Sequence, residues 1–302
     1  MPNNPLLSII VVSFNTADIT ISCIKSIYQD KGLKDIPFEI IVIDNASTDD
    51  SILKINKFIH SLKIENCKLK INSSNLGFAK ANNQGLKIAR GQYILLLNSD
   101  TIILHSAISQ SLNWLSSHPE AHCCTAQLLN KNKTIQASGG FFPTLSNIFT
   151  WCLGLDDLPF TNFFIRPFHP HTPKFYTKDN FYTKDHPQDW VTGAFMLFRK
   201  SVYDKIGGFD KNWFMYGEEY EYQYRLHLAF PQTQCWYLIG PQIIHLGGAS
   251  SVTKTDPITR EYEGVIAFFT KHKPKYQLPI IKILLKLNSS LRSIINPIYE
   301  HL

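Results

Sequence analysis

Two aspartates in this sequence stand at the ends of apolar runs: Asp44 closes FEIIVIDN and Asp100 closes YILLLNSD. In a parallel α/β sheet, ligands bind outside the carboxyl ends of the strands. Two carboxylates from separate strands can therefore face one cleft although 56 positions lie between them. Either residue alone reads as an ordinary strand-end turn or helix cap; their joint placement points to a ligand site. Hard divalent cations take oxygen ligands, often one or two carboxylates completed by substrate phosphates. A second acidic group, Glu218, Glu219 and Glu221, opens a helical pattern, where taken alone it is favourable charge at a helix N-terminus. His245 ends another apolar run, a position open to a structural histidine or a ligand.

The elements that must position these groups are legible in the first half. Leu7–Phe14 is a continuous apolar run rich in β-branched residues, the pattern of a buried parallel strand. A helical face of Ile19, Cys23, Ile24 and Ile27 follows, then the strand ending at Asp44. Ser47-Thr48-Asp49-Asp50 has the spacing of a capping box, and Ile52, Ile55, Ile59 and Leu62 form the next buried stripe. A strand at Lys68–Ile71, a helix from Phe78 to Arg90 and the strand Tyr93–Asn98 complete an alternation of βαβ units. Regular structure resumes later with a strand in DWVTGAFMLFRK, a helix over Glu218–Phe230 and a strand at CWYLI. The expected fold is α/β, a doubly wound, mostly parallel sheet of Rossmann-like character.

Between residues 141 and 190 the alternation stops. This stretch is rich in aromatics, Pro and His and repeats FYTKD at Phe175–Asp179 and Phe181–Asp185. It reads equally as a binding loop or lid and as a surface excursion pinned by aromatic anchors. His169 and His171 lack the spacing of common zinc sites. Six cysteines without CxxC spacing read as small buried side chains in a reducing compartment. The sequence begins MPNNPLLSII, without a basic n-region or cleavage site, so a cytoplasmic location is expected and the sequons at Asn45, Asn72, Asn132 and Asn288 carry little weight. No apolar run approaches the roughly 18–20 residues that span a bilayer. The net charge is +6, of which residues 268–302 carry +5, leaving a nearly neutral body that argues against nucleic acid as a partner.

Five ordered segments resemble the inverting glycosyltransferases of family 2, especially their rhamnosyltransferase-like branch with the GT-A fold. They are VVSFN; IVIDNASTDDS; NLGFAKANNQGLKIARGQYILLLNSD; DWVTGAFMLFRKSVYDKIGGFD; and FMYGEEYEYQYRLH with IIHLGGASS, spanning roughly residues 7–251. The resemblance implies a GT-A domain over 1–267. Its nucleotide-sugar-binding half covers 5–130, and its acceptor-binding half covers 131–267 and includes the insert. A basic amphipathic tail and C-terminal helices follow at 268–302.

The resemblance also implies roles. Asp44 would accept the N3–H of a uracil or thymine and Phe14 would stack on the base. Ser13 and Asn15 lie at the same tip, and Asn75, Gly77, Asn82 and Asn83 line the nucleotide pocket. Asn75 can equally be a helix N-cap. Asn98-Ser99-Asp100 stands where the family has its DxD motif, so Ser99 and Asp100 join the donor site and Asp100 holds Mn²⁺ or Mg²⁺, with His245 as a further ligand that favours Mn²⁺. The first carboxylate of DxD is missing here, so weak metal affinity without nucleotide is expected. Gly217-Glu218-Glu219 matches the family's GED motif, which makes Glu219 the catalytic base, one methylene longer than the usual Asp. Glu221 would pair with Arg225 or touch the acceptor. Trp190, Gly193 and Ala194 match the strand flooring the acceptor side, and Trp213, Tyr216 and Glu218 line it.

The implied activity is transfer of a sugar, rhamnose from dTDP-rhamnose first, to a saccharide or lipid-linked saccharide acceptor in cell-surface polysaccharide assembly. A UDP-hexose transferase and a catalytically degenerate binding or scaffold protein are the alternatives. A dinucleotide oxidoreductase fails because FNTAD follows the first strand in place of G-x-G-x-x-G. Residues Tyr276–Leu302 place Leu, Ile and Lys/Arg at helical spacing. They fit either a peripheral contact with the inner face of the cell membrane or a helix packed on the domain.

Overall fold

The computed structural model describes residues 4–61, 64–157, 164–170, 181–247 and 256–299. His171, the first FYTKD copy and the GASS of the last motif lie outside the described residues. Strands β1 (Leu7–Ser13), β2 (Phe38–Asp44), β3 (Cys67–Ile71) and β4 (Tyr93–Asn98) pair in parallel in the order β3-β2-β1-β4. Helices α1 (Ala17–Tyr28), α2 (Ser51–Ser61) and α3 (Phe78–Ile88) supply the crossovers. The sheet continues through β8 (Phe195–Arg199), antiparallel to β4, then β6 (Cys123–Leu129) and β9 (Cys235–His245), which are parallel to each other. Two short strands, β5 (Thr101–Leu104) and β7 (His186–Gln188), flank β9 antiparallel. The remaining helices are α4 (Ala107–Ser117), α5 (Leu145–Cys152), α6 (Lys200–Ile206), α7 (Glu218–Ala229), α8 (Asp256–His272) and α9 (Gln277–Tyr299).

Side chains alternate faces along a strand, and here both faces are buried. Ile9, Val11, Ile40, Val42, Leu95 and Leu97 pack with Ile24, Ile55 and Leu112 of α1, α2 and α4. Ile10, Ile41, Ile43, Ile94 and Leu96 pack on the opposite side with α3, α5, α7, α8 and α9. Each fully buried aliphatic contributes roughly 1.5–3 kcal/mol, which explains why these strands read as unbroken apolar runs. The doubly wound expectation holds.

Four local readings change. Ser47 does not cap α2; its backbone and hydroxyl both bond Asp44, while Asp49 Oδ1 accepts from Ser51 N. A capping box forms instead at α5, between Thr144 and Asn147. The aromatic stretch is partly regular and anchored: α5 buries Ile148 and Trp151, and Phe168 and Tyr182 are sealed inside. Strand β8 starts only at Phe195, so Trp190 and Gly193 precede it; Trp190 makes a single bridge to Gly140. Finally, the strand expected over CWYLI runs on to His245 through a register shift opposite Ala126 and Gln127. Gly240-Pro241 falls at that irregularity, where a missing N–H is tolerated.

Candidate active site

The carboxyl ends of β1 and β2 meet in a small polar frame. Asp44 is fully buried, and its two carboxylate oxygens accept from Ser47 N (2.8 Å) and Ser47 Oγ (2.6 Å). Asn15, in the left-handed region at φ 53°, accepts from Thr48 N and donates its own N–H to Ser47 Oγ. Phe14 is half-buried beside them. Asp44 and Asn15 thus shape one loop, as their shared tip position suggests. Ser13 is turned away: its hydroxyl lies 2.9 Å from Thr20 Oγ1, inside the start of α1.

Asn45, which drew notice only as a sequon, is the hub of this frame. Its amide nitrogen donates to Asn75 Oδ1 (2.8 Å) and its oxygen accepts from Asn72 Nδ2 (3.0 Å) and Leu76 N (3.1 Å). The missed signal was the asparagine cluster itself, Asn45, Asn72 and Asn75, three amides that can satisfy one another. Asn75 also accepts from Gly77 N, but Gly77, not Asn75, is the N-cap of α3. Gly77 needs its φ of 80°, and a Cβ there would sit 2.4 Å from Phe214 O, which accepts from Phe78 N. Asn82 and Asn83 do not line this frame. Asn82 Nδ2 bonds Phe78 O one turn back, and Asn83 clamps both backbone groups of Phe209.

Topology brings the next pair together. Asp100 sits in the turn joining β4 to β5, and Thr101 pairs with His245 across β5 and β9. Leu246 N donates to Asp100 O (2.9 Å). As a result His245 Nε2 lies 3.3 Å from Asp100 Oδ1 and 3.2 Å from Asn98 Nδ2. Ser99 is half-buried in the same turn. Gln136, absent from the sequence reading, fixes the imidazole. Its Nε2 donates to Asn130 Oδ1 (2.9 Å) and His245 O (3.3 Å), which leaves Oε1 to accept from His245 Nδ1 at 2.6 Å. Gln136 thus holds the Nδ1 edge of the ring, and the Nε2 edge faces Asp100 and Asn98. That arrangement suits a divalent cation, with a partner on the far nitrogen as metal-bound histidines have. Among the described residues no group of three or more His, Cys, Asp or Glu could hold a metal, so Asp100 and His245 would be two ligands of a shell completed from elsewhere.

The acidic turn lies at the start of α7. Gly217 (φ 94°) has Tyr220 OH and Trp213 Nε1 packed 2.6 and 2.9 Å from the position of a would-be Cβ. Both atoms, and Glu218 Oε2, are buried without a hydrogen-bond partner among the described residues. Glu219 Oε2 accepts from Gly217 N (3.2 Å). Burial raises the pKa of Glu219, with Gly217 N–H and His169 pulling it down and Glu261 pushing it up. Burial, then the charge of Glu219, drives Glu218 well above the usual carboxylate range. His169 belongs to the aromatic stretch, and its Nε2 lies 2.5 Å from Glu261 Oε1 of α8. The stretch thus brings an imidazole to Glu261 beside the acidic turn, a role its sequence did not disclose.

Glu221 takes the pairing alternative. It is fully buried and bonds Arg225 (3.0 Å), Lys271 (2.8 Å) and His272 (3.1 Å), tying α7 to α8. Trp190 and Trp213 are buried rather than laid open as sugar platforms; Trp190 packs edge-on to Tyr220 and donates Nε1–H to Phe141 O. A Cβ on Gly193 would lie 3.3 Å from the Phe78 ring, so this glycine keeps α3 close. Tyr216 is half-buried at φ 68°, strained for an aromatic residue. Phe214, 41% exposed and capped by Arg260, is the open aromatic of this region.

The glycosyl transferase family 2 model matches residues 8–207, two-thirds of the chain. The chain belongs to that family. A rhamnosyltransferase, WbbL of Escherichia coli K12, is 28% identical over 74% of this chain and 78% of its own length. An uncharacterized glycosyltransferase of Haemophilus influenzae is 37% identical over 37% of this chain, and the alignment spans 43% of that relative. A UDP-Glc:α-D-GlcNAc-diphosphoundecaprenol β-1,3-glucosyltransferase of E. coli, WfaP, is 34% identical over 37% of this chain and 42% of its own length. Among solved structures, a Pyrobaculum calidifontis mannosyltransferase in complex with GDP-Man and Mn²⁺ superposes with TM-score 0.56 at 14% identity, covering 98% of this chain and 76% of that one. GalNAc-T7 with UDP, GalNAc and Mn²⁺ superposes with TM-score 0.61 at 13% identity, over 90% of this chain and 49% of that one. The fold of this family 2 transferase is GT-A. The family match stops before both Glu219 and His245, so the second half of the site rests on geometry.

Proposed function

We propose that this family 2 transferase moves a sugar with inversion from a nucleoside diphosphate donor to a saccharide or lipid-linked saccharide acceptor, in cell-surface polysaccharide assembly on the cytoplasmic side of the membrane. The observation that carries the reading is the 3.3 Å approach of His245 Nε2 to Asp100 Oδ1 at the carboxyl ends of the sheet, where α/β ligands bind. Asp100 and His245 are the residues that would hold Mn²⁺ or Mg²⁺, which when bound supplies charge neutralisation to the leaving diphosphate. The loop framed by Asp44, Asn15 and Asn45 is the base-binding end, with Phe14 beside it.

Glu219 takes the proton from the acceptor hydroxyl as that oxygen attacks the anomeric carbon. The new C–O bond forms on the face opposite the diphosphate, whose bond breaks with the electron pair leaving on phosphate oxygen. A base with a raised pKa matches this work better than an ordinary carboxylate. Glu218, Tyr216 and the exposed Phe214 line the acceptor end; Trp190, Gly193, Trp213 and Glu221 shape it from behind. Similarity to a rhamnosyltransferase over most of the chain supports dTDP-rhamnose as donor. The name of the glucosyltransferase relative supports a UDP-hexose as the second choice and a lipid diphosphate acceptor.

A thermal-shift panel of dTDP, UDP, GDP and NAD, each with and without Mn²⁺, tests the reading, because a ligand that binds only the native state raises apparent stability. Mn²⁺-dependent stabilisation by dTDP or UDP, lost in Asp100→Ala, supports it and selects the donor. No response to any nucleotide overturns it in favour of a degenerate scaffold.

A further inference from the structure

Helix α9 carries two apolar faces. On one, Ile281, Leu284 and Leu285 are sealed in the core shared with α5 and α8, and Asn288 Nδ2 donates to Cys152 O at 2.7 Å, fixing the rotation of the helix. On the other, Tyr276, just before the helix, and Ile280, Ile283, Leu287 and Leu291 are 41–68% exposed. Their spacing places all five within an arc of roughly 80° at 100° per residue. Lys275, Lys282 and Lys286 run along one border of this stripe, all exposed, and no acidic residue occurs between Gln277 and Tyr299. Phe149 and Leu153, also exposed, belong to the helix against which α9 packs or follow it directly. The packed reading of the C-terminal segment is thus met on one face, and the exposed stripe lies beside it on the same helix.

We propose that this outward face docks the protein onto an anionic phospholipid bilayer. The stripe is a convex ridge rather than a groove, so it suits a surface that deforms around it, with aliphatic side chains entering the acyl boundary and lysines reaching the headgroups. A second copy of the same face would bring lysine rows together on a helix with no acidic row to meet them, whereas an anionic surface complements them. No described helix is long and apolar enough to cross a membrane; the helix lies in the interface. The inference stands apart from the donor chemistry and would survive its failure.

The test is co-sedimentation of the full chain with phosphatidylglycerol-containing vesicles and with pure phosphatidylcholine vesicles, at low and high salt. Binding to the anionic vesicles, weakened by salt, is expected. Each lysine near such a surface adds about five-fold, so Lys282→Gln with Lys286→Gln should weaken binding roughly 25-fold. Ile283→Asp with Leu287→Asp should abolish it while the thermal melt and nucleotide-induced shift match the parent, both positions being exposed. The proposal is overturned if neither vesicle is bound or if binding ignores lipid charge and the lysines. It is also overturned if light scattering shows a dimer that the Asp pair dissociates with no vesicle binding.

Discussion

The loops after β1 and β2 and the start of α7 are finished to different degrees. At the β1–β2 end, polar side chains satisfy one another: Asp44 holds Ser47, Asn45 holds Asn72, Asn75 and Leu76, and Asn15 holds Thr48. At the α7 end, Trp213 Nε1, Tyr220 OH and Glu218 Oε2 are buried with no such partner among the described residues, and two adjacent glutamates have their pKa raised. Unpaired buried polar groups cost stability. The contrast is that of a polar frame whose groups satisfy one another and an acidic turn whose buried polar groups do not.

The substitution expected to act most strongly is at the unfinished end. Glu219→Gln should lower transfer roughly 10²- to 10⁴-fold while nucleotide-induced thermal shifts persist; lost nucleotide binding would erase the division between ends. In the parent the acid limb of the rate profile should lie above the ordinary carboxylate range, because Glu219 must be ionised to accept a proton. Glu261→Gln, which removes a like charge, should move that limb to lower pH. Gln136→Leu removes the hydrogen-bond partner of His245 Nδ1 and should weaken nucleotide-dependent Mn²⁺ binding about 10- to 100-fold, read by calorimetry, with Gln136→Glu restoring much of it.

Gly77→Ala tests the join between the two ends. Its Cβ meets Phe214 O in a backbone region costing about 1–3 kcal/mol, so denaturant unfolding should show a loss of at least that size. The smallest effect is thermal. Glu218 has a raised folded pKa, so its contribution is present below the unfolded pKa and is lost as pH rises through the folded one. Glu218→Gln should therefore raise Tm by a few degrees at pH 8, on the order of 2–4 °C per kcal/mol, and leave it unchanged near pH 4. Equal shifts at both pH values would refute a buried, ionisation-strained Glu218.

The strands and helices of the first half were legible because their signals are local: unbroken β-branched runs for strands buried on both faces, and 3.6-residue stripes for the helices between them. Asp44 and Asp100 were legible for the same reason, each ending such a run. What a side chain does once placed was less so. Asn82 and Asn83 belong to the motif yet spend their amides on Phe78 and Phe209, and Ser47 bonds Asp44 rather than capping α2. Trp190 and Trp213 were expected on the acceptor side and both are buried, because a side chain's place in the sequence does not report which face is open.

Sequence alone settled the order of the elements through β4, the doubly wound class and the family, since these follow from hydrophobic period and ordered motifs along one chain. Tertiary structure alone decided the pairs that make the site. Asn98 and His245 are 147 positions apart and meet because β9 shifts register and runs antiparallel to β5. Gln136 becomes the keeper of His245, and His169 the partner of Glu261 near Glu219, only through packing of the irregular stretch. Contacts of that range leave no periodic trace, because register and packing are chosen by the whole sheet and not by any window of residues.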